Sequence, residues 1–251
     1  MLEAGNVIFV GADTARSKVY LQALVFLRIR LGGVFIFSRS TGGSGKSEVK
    51  QSKPIQASTA NLDGLCADLN SSLDETSKRV SDYGRIIEGT SINDKAVCYS
   101  LSQFCCELDN AGLLIYSGYG GEIIQQEVLT QHPPFLHIHS GWLPQYRGST
   151  TIYYGLLQEG RCGVSAILLS RKIDQGIIVG RRWYAPPTQQ EDTDYIYDST
   201  IRADLLVSVV RKWCETGRFP DSIVQYEDSG TDYYVIHPVL KHIALLSLGE
   251  G

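Results

Sequence analysis

At 251 residues the chain is long enough to bury a full core, so its stability needs neither disulfides nor a structural metal. Its 43% hydrophobic and 20% charged residues exclude a disordered or fibrous class, and a net charge of -4 argues against a surface built for phosphate backbones. The six cysteines, at 66, 98, 105, 106, 162 and 214, form no C-x-x-C pair and have no histidines at zinc-like spacing, which fits reduced thiols in a cytoplasm.

The start of the chain, MLEAGNVIFVGADTARSK, has no basic stretch followed by an apolar run, and no apolar run approaches the ~18 residues a membrane span requires, so neither export nor insertion is expected. Val7 to Val10 reads as a buried first strand between turn residues. Ser17 to Arg30 has crowded apolar positions compatible with a helix packed on a sheet, and Val34 to Phe37 reads as the second strand. From Ser38 to Ala60 the composition turns to Ser, Gly, Lys, Gln and Thr, interrupted by Pro54, which predicts a loop. Helical spacing returns over Leu62 to Val80 and again over Ala96 to Leu108, followed by a strand over Leu113 to Tyr116.

Phe135 to His139 is a further strand, Ile152 to Gln158 a helix ending near Gly160, and Gly163 to Leu169 and Ile177 to Arg182 two more strands. Alternating strands and helices predict an α/β fold with a mostly parallel sheet. After Ala185-Pro186-Pro187 the pattern changes to one long helix over Asp192 to Cys214 and short apolar pieces over Tyr233 to Leu246. The expected division is a catalytic domain over 1–186 and a small helix-plus-strands region over 187–251.

Two glycine-rich stretches mimic nucleotide motifs. Ser40 to Ser47 ends in Gly-Lys-Ser, yet Ser40 stands where a phosphate-binding loop requires glycine, and EVKQSKP is a poor helix start. Gly118-Tyr119-Gly120 opens a dinucleotide fingerprint whose third glycine position holds Ile123.

The informative stretch is FLHIHSGWLPQYRGST, residues 135 to 150. His137 and His139 share one face of a strand and stand at its C-terminal end, the usual active edge of such a sheet. An H-x-H pair also suits a metal, but no third ligand is evident, and no metal is expected.

This stretch resembles the formyltransferase signature N-x-H-x-S-L-L-P-x-Y-R-G: His139, Leu143, Pro144, Tyr146, Arg147 and Gly148 fall in register with it. Gly163-Val164 fits the family's next strand, Ile173-Asp174-Gln175-Gly176-Ile177-Ile178 fits its D-x-G turn, and Leu114 to Ile124 looks like its folate-holding strand and loop. The resemblance covers roughly residues 5 to 185 and implies a Rossmann-like fold of the formyltransferase type. The family's catalytic Asn, His and Asp correspond here to His137, His139 and Asp174, the first being a departure. It further implies formyl-tetrahydrofolate as the donor, held by Gly118, Tyr119, Gly120, Gly121, Ile123, Leu169, Lys172 and Ile173.

Amine attack on a formyl group builds an oxyanion and releases a proton, so the site needs a donor and a base. His139 with Asp174 supplies the base, and His137 is the candidate donor. Arg16, Tyr146 and Arg147 are candidate acceptor-binding residues, joined by Lys18 as a further cation and by Tyr233 and Tyr234 near the C-terminus. Methionyl-tRNA formyltransferases add a sizeable C-terminal barrel, whereas the short segment after Pro187 looks more like that of nucleotide-sugar N-formyltransferases. The expected acceptor is therefore a small amine, a nucleotide-linked amino-sugar above all, with no nucleic-acid or membrane partner and a homodimer as a possible assembly. A formyl-tetrahydrofolate hydrolase and a non-catalytic folate or nucleotide-binding module are the alternatives.

Overall fold

The structure, a computed structural model, describes residues 2–39, 84–108, 111–226 and 229–249. The helix expected over 62–80, the loop expected over 38–60 from residue 40 onward and the Gly-Lys-Ser stretch lie outside these residues, while Ser38 ends a strand.

Strand β1 (Leu2–Ala12) lies in the interior of the main sheet. Alternate side chains of a strand face opposite ways, so Val7 and Phe9 enter one core while Ile8 and Val10 enter the other. Burial on both faces is what a parallel sheet covered by helices requires, and it explains the continuous apolar run. Each fully buried Val, Ile or Phe contributes about 1.5–3 kcal/mol.

Helix α1 (Ala15–Phe26) is capped by Thr14, whose hydroxyl accepts from the Ser17 amide. It is shorter than expected. Arg28 adopts a φ of 57°, which breaks the helix, and strand β2 (Ile29–Ser38) begins at the next residue, pairing with β1 from Leu2↔Ile29 onward. The expected helix to Arg30 therefore overran, and the expected strand over 34–37 is the buried end of a longer one. The Arg85–Glu88 strand, β3, with only Ile86 and Ile87 apolar, is not among the expected strands and forms the edge.

Helix α2 (Lys95–Glu107), strand β4 (Leu113–Ser117), helix α3 (Gln126–Gln131) and strand β5 (Phe135–His139) follow. Then come the three-residue strand β6 (Tyr146–Gly148), helix α4 (Thr151–Glu159), and strands β7 (Cys162–Leu168) and β8 (Ile177–Tyr184). Among the described residues the main sheet runs β3-β2-β1-β4-β5-β7-β8, parallel from β3 through β5 and antiparallel at β7 and β8. It is the mostly parallel sheet the alternating pattern predicts.

One turn of π-helix at Thr193–Tyr197 leads into helix α5 (Asp198–Thr216), which Gly217 ends at φ 66°. Ile201, Leu205, Leu206 and Val209 of α5 pack with Tyr20, Leu21 and Leu24 of α1 in the core on one side of the sheet, while Val97, Leu101 and Phe104 of α2 lie in the core on the other. Strand β9 (Thr231–Tyr233) pairs with β6, and helix α6 (Pro238–Leu246) closes the chain. Of the short apolar pieces expected as strands over 233–246, only Tyr233 belongs to a strand, and 238–246 form a helix. His237 caps that helix by accepting from the Val239 amide at 3.3 Å, and Pro238 at its first turn presets the helical φ.

Beside the end of β5, Trp142 stacks on Trp183 of β8 at 4.7 Å and 12°. Arg181 lies over the Trp142 ring at 4.5 Å and Arg161 over the Trp183 ring at 4.0 Å, which makes a four-layer stack. Gly163 leaves room for it, since a Cβ there would meet the Trp142 Cβ at 2.7 Å. Among the described residues no helix is long and apolar enough to cross a membrane.

Candidate active site

The end of β5 carries His139, 5% exposed, into a bay built by the following segment. Its Nε2 donates to the Tyr146 carbonyl at 2.8 Å. The Thr151 hydroxyl lies 3.5 Å from the same nitrogen but donates its own hydrogen to the Ser140 carbonyl. Both neighbours of Nε2 are therefore acceptors, and the neutral ring carries its proton there. Nδ1 is left with its lone pair, 3.4 Å from Asp174 Oδ1.

Asp174 arrives on the turn between β7 and β8 with a φ of 54°, a left-handed conformation that Asp and Asn tolerate best. Its Oδ2 accepts from the Gly148 amide at 2.8 Å. Gln225 secures the turn by donating from Nε2 to the carbonyls of Asp174 and Gly176, each at 2.8 Å. Gly176 is required by close approach: a Cβ would stand 1.8 Å from the Leu168 carbonyl oxygen.

His137 lies two residues before His139 and is half-buried. Its Nδ1 donates to the Tyr116 carbonyl at 3.4 Å, so Nε2 bears the lone pair in this tautomer. Donation to an oxyanion needs the other tautomer, at the loss of one long hydrogen bond; an asparagine amide would offer its N–H without that exchange. Burial, helped by the nearby charges of Arg16, Arg202 and His139, holds the ring well below the usual histidine value of 6.5. On unfolding the ring regains that value, so the unfolded chain binds the extra proton, and stability present above pH 6.5 is lost as pH falls towards the folded value. His137→Asn should flatten this acid limb. Urea unfolding at pH 5 and pH 8 checks it, and equal acid losses in both proteins would mean that the ring is not held neutral.

No family model matches the chain. A stretch of 105 residues is 30% identical to methionyl-tRNA formyltransferase of Listeria innocua, covering 40% of this chain and 33% of that protein. Another of 139 residues is 24% identical to that of Caldanaerobacter subterraneus, covering 53% of this chain and 43% of that protein. The matched stretch thus spans well under half the length of these curated relatives. Among solved structures, a sugar N-formyltransferase from Shewanella superposes with a TM-score of 0.54 at 14% identity, covering 96% of this chain and 86% of that one. Methionyl-tRNA formyltransferase from Clostridium thermocellum does so with a TM-score of 0.52 at 13% identity, covering 99% and 83%. This chain has the formyltransferase fold.

In this formyltransferase fold two cavities meet at the dyad. A slot of about 80 Å³ is lined by Tyr116, His137, Leu169 and the 170–174 turn. A cleft of about 680 Å³ is lined by His139, Gly148, Asp174 and the 232–235 segment. Glu122, Ile123, Lys172, Ile173 and Asp174 line both. Of the expected folate residues, Ile123, Leu169, Lys172 and Ile173 line the slot and Gly121 the cleft, whereas Gly118, Tyr119 and Gly120 line neither. Tyr119 turns away, edge-on to Phe37 at 5.8 Å and beneath Arg39.

The expected acceptor residues Arg16, Tyr146 and Arg147 also line neither cavity. Arg16 donates to the Gly118 carbonyl at 2.6 Å, and Arg147, 3% exposed, to the Tyr226 carbonyl at 3.1 Å and Ser229 Oγ at 3.2 Å. The Tyr146 hydroxyl shares its one hydrogen between Gln158 Oε1 and Glu159 Oε1, both at 3.1 Å. Glu122 went unnoticed in the sequence, where a loop glutamate reads as a solvated charge. Its carboxylate accepts from the Ile92 amide at 2.8 Å and the Tyr116 hydroxyl at 2.6 Å, which fixes the floor of the slot.

Proposed function

We propose that this protein transfers a formyl group from formyl-tetrahydrofolate to the amine of a small acceptor. The observation that carries this reading is the His139–Asp174 pair at the junction of an apolar slot and a roomier cleft, with His139 on the cleft and Asp174 lining both. The slot suits a flat ring. Ile123 and Ile173 are 56% and 55% exposed at its mouth, apolar surface that a pterin would cover, with Tyr116 and Leu169 behind. When bound, the folate supplies an activated formyl carbonyl.

The chain's own residues handle the proton. His139 faces the cleft, and with Nε2 committed to Tyr146 its Nδ1 is the atom that takes the proton an amine sheds, beside the Asp174 carboxylate. His137 borders the slot as a neutral ring, available for donation in its other tautomer.

We take the acceptor to be an amino-sugar, a reading supported by the sugar N-formyltransferase neighbours, with a nucleotide carried on the sugar lying against Tyr233 and Tyr234 of the cleft wall. Residues 187–251 then supply the acceptor side of a catalytic domain over 1–186, and the described cysteines, all free thiols, suit a cytoplasmic enzyme. Release of tetrahydrofolate with free and nucleotide-linked amino-sugars tests the reading. Acceptor-dependent release that His139→Ala abolishes supports it. Formate release without any amine would replace it with a hydrolase, and no turnover with intact folate binding would replace it with a binding module.

A further inference from the structure

Both members of the dyad hang on one three-residue strand. The carbonyl of Tyr146 holds His139 Nε2 at 2.8 Å, and two residues on the amide of Gly148 holds Asp174 Oδ2 at 2.8 Å. A strand this short has no stability of its own. Its partner is β9, from the far end of the chain, in the register Tyr146↔Thr231, Arg147↔Asp232 and Gly148↔Tyr233. The Thr231 amide donates to the Gln145 carbonyl at 3.1 Å, and the Ser149 amide to the Tyr233 carbonyl at 2.9 Å.

The two segments touch backbone to backbone. Gly148, at φ 96°, would place a Cβ 2.1 Å from the Tyr233 carbonyl oxygen, and Gly230, at φ 93°, would place one 1.6 Å from that of Pro144. The Tyr146 and Tyr233 rings stack at 5.5 Å and 22°, which locks the pairing from the side.

The position of β6 decides which nitrogen of His139 is basic. Acceptors on opposite sides compete for the single proton of the neutral ring: at Nε2 the Tyr146 carbonyl at 2.8 Å, with the Thr151 hydroxyl oxygen at 3.5 Å, and at Nδ1 the Asp174 carboxylate at 3.4 Å. A carboxylate is the stronger acceptor at equal distance. The closer approach of the carbonyl keeps the proton on Nε2 and leaves Nδ1 with a lone pair. If β6 drifts outward, the proton passes to Nδ1, the lone pair moves to Nε2, and the nitrogen facing Asp174 can no longer accept a proton.

We propose that β9 is a positioning element of the dyad: by pairing with β6 it sets the tautomer of His139 and the seat of the Asp174 carboxylate. As an account of catalysis this rests on the transferase reading; as an account of the ring it does not.

The test reads the ring directly. Long-range 1H–15N correlation spectra of the full chain, at a pH where His139 is neutral, should show its proton on Nε2. Thr231→Pro removes the amide that bonds Gln145, and it should move His139 towards the Nδ1–H form. It should also lower kcat by about 10²-fold, the scale for a misplaced catalytic group, with KM for the folate held. Thr231→Ala keeps the amide and should restore the wild-type spectrum. Should Thr231→Pro fail to fold, Tyr146→Phe decides, because loss of the bonds to Gln158 and Glu159 loosens β6 and should shift the tautomer in the same direction. A folded variant with the wild-type spectrum and kcat overturns the proposal, as does a wild-type ring protonated on Nδ1. A wild-type chain with Nε2–H and no transfer to any acceptor overturns the functional reading alone.

Discussion

Asp174→Asn is expected to lower the rate of formyl transfer by about 10²- to 10⁴-fold, the range for removal of general acid–base catalysis, while leaving the fold and folate binding intact. The substitution is a fair test because asparagine, like aspartate, accepts the left-handed φ of 54° at this position. Its amide oxygen can still accept from the Gly148 amide where Oδ2 does now, at 2.8 Å. The NH₂ group then occupies the place of Oδ1, 3.4 Å from His139 Nδ1, and donates into the lone pair that should take the proton. The base is lost with little change in shape. Single-turnover release of tetrahydrofolate, with calorimetric folate binding alongside, checks this; a rate within about threefold of wild type would remove the dyad from proton transfer.

Arg202→Met is expected to destabilise the fold by about 3–5 kcal/mol, the usual consequence of leaving one partner of a buried ion pair behind. Arg202 Nη2 meets Asp198 Oδ2 at 2.9 Å, with side chains 13% and 12% exposed. Its Nη1 donates to the Ile138 carbonyl at 3.1 Å, and the Ser140 hydroxyl donates to Asp198 Oδ1. The pair therefore grips the residues on either side of His139. Loss of the arginine strands a carboxylate, whereas Asp198→Asn combined with Arg202→Met removes the uncompensated charge and should recover part of the loss. For a chain of this size the single variant should melt roughly 6–20 °C lower. A shift under about 2 °C would mean that water reaches Asp198 freely.

The sequence was most legible where side-chain pattern and backbone geometry coincide. The H-x-H end of β5, the helix after it and the Asp174 turn were placed within a residue or two, because strand periodicity, Gly160 and the D-x-G turn all signal locally. β6 and β9 were not, since Tyr-Arg-Gly and Thr-Asp-Tyr carry no apolar alternation and pair only through tertiary contact. Tyr146, Arg147 and Arg16 were in view as residues but not in orientation. Their chemistry suggests ligand contacts, yet their hydrogen bonds go to the protein's own loops and helix ends. Asp198 and Arg202, four apart on a helix, carry no local signal of burial, and only the packing of α5 onto the sheet gives them theirs.

The stack of Arg181, Trp142, Trp183 and Arg161 has an optical consequence. Two of the chain's 3 tryptophans lie in it, and Trp142 stands three residues beyond His139. Stacked indoles exchange excitation through their strong short-wavelength transition and present a coupled circular-dichroism band in the far ultraviolet. The third, Trp213, stacks instead on Phe219 at 4.5 Å, far along α5. Loss of the coupled band before the Trp213 emission changes would time the loosening of the active-site segment apart from the melting of the whole, without any label.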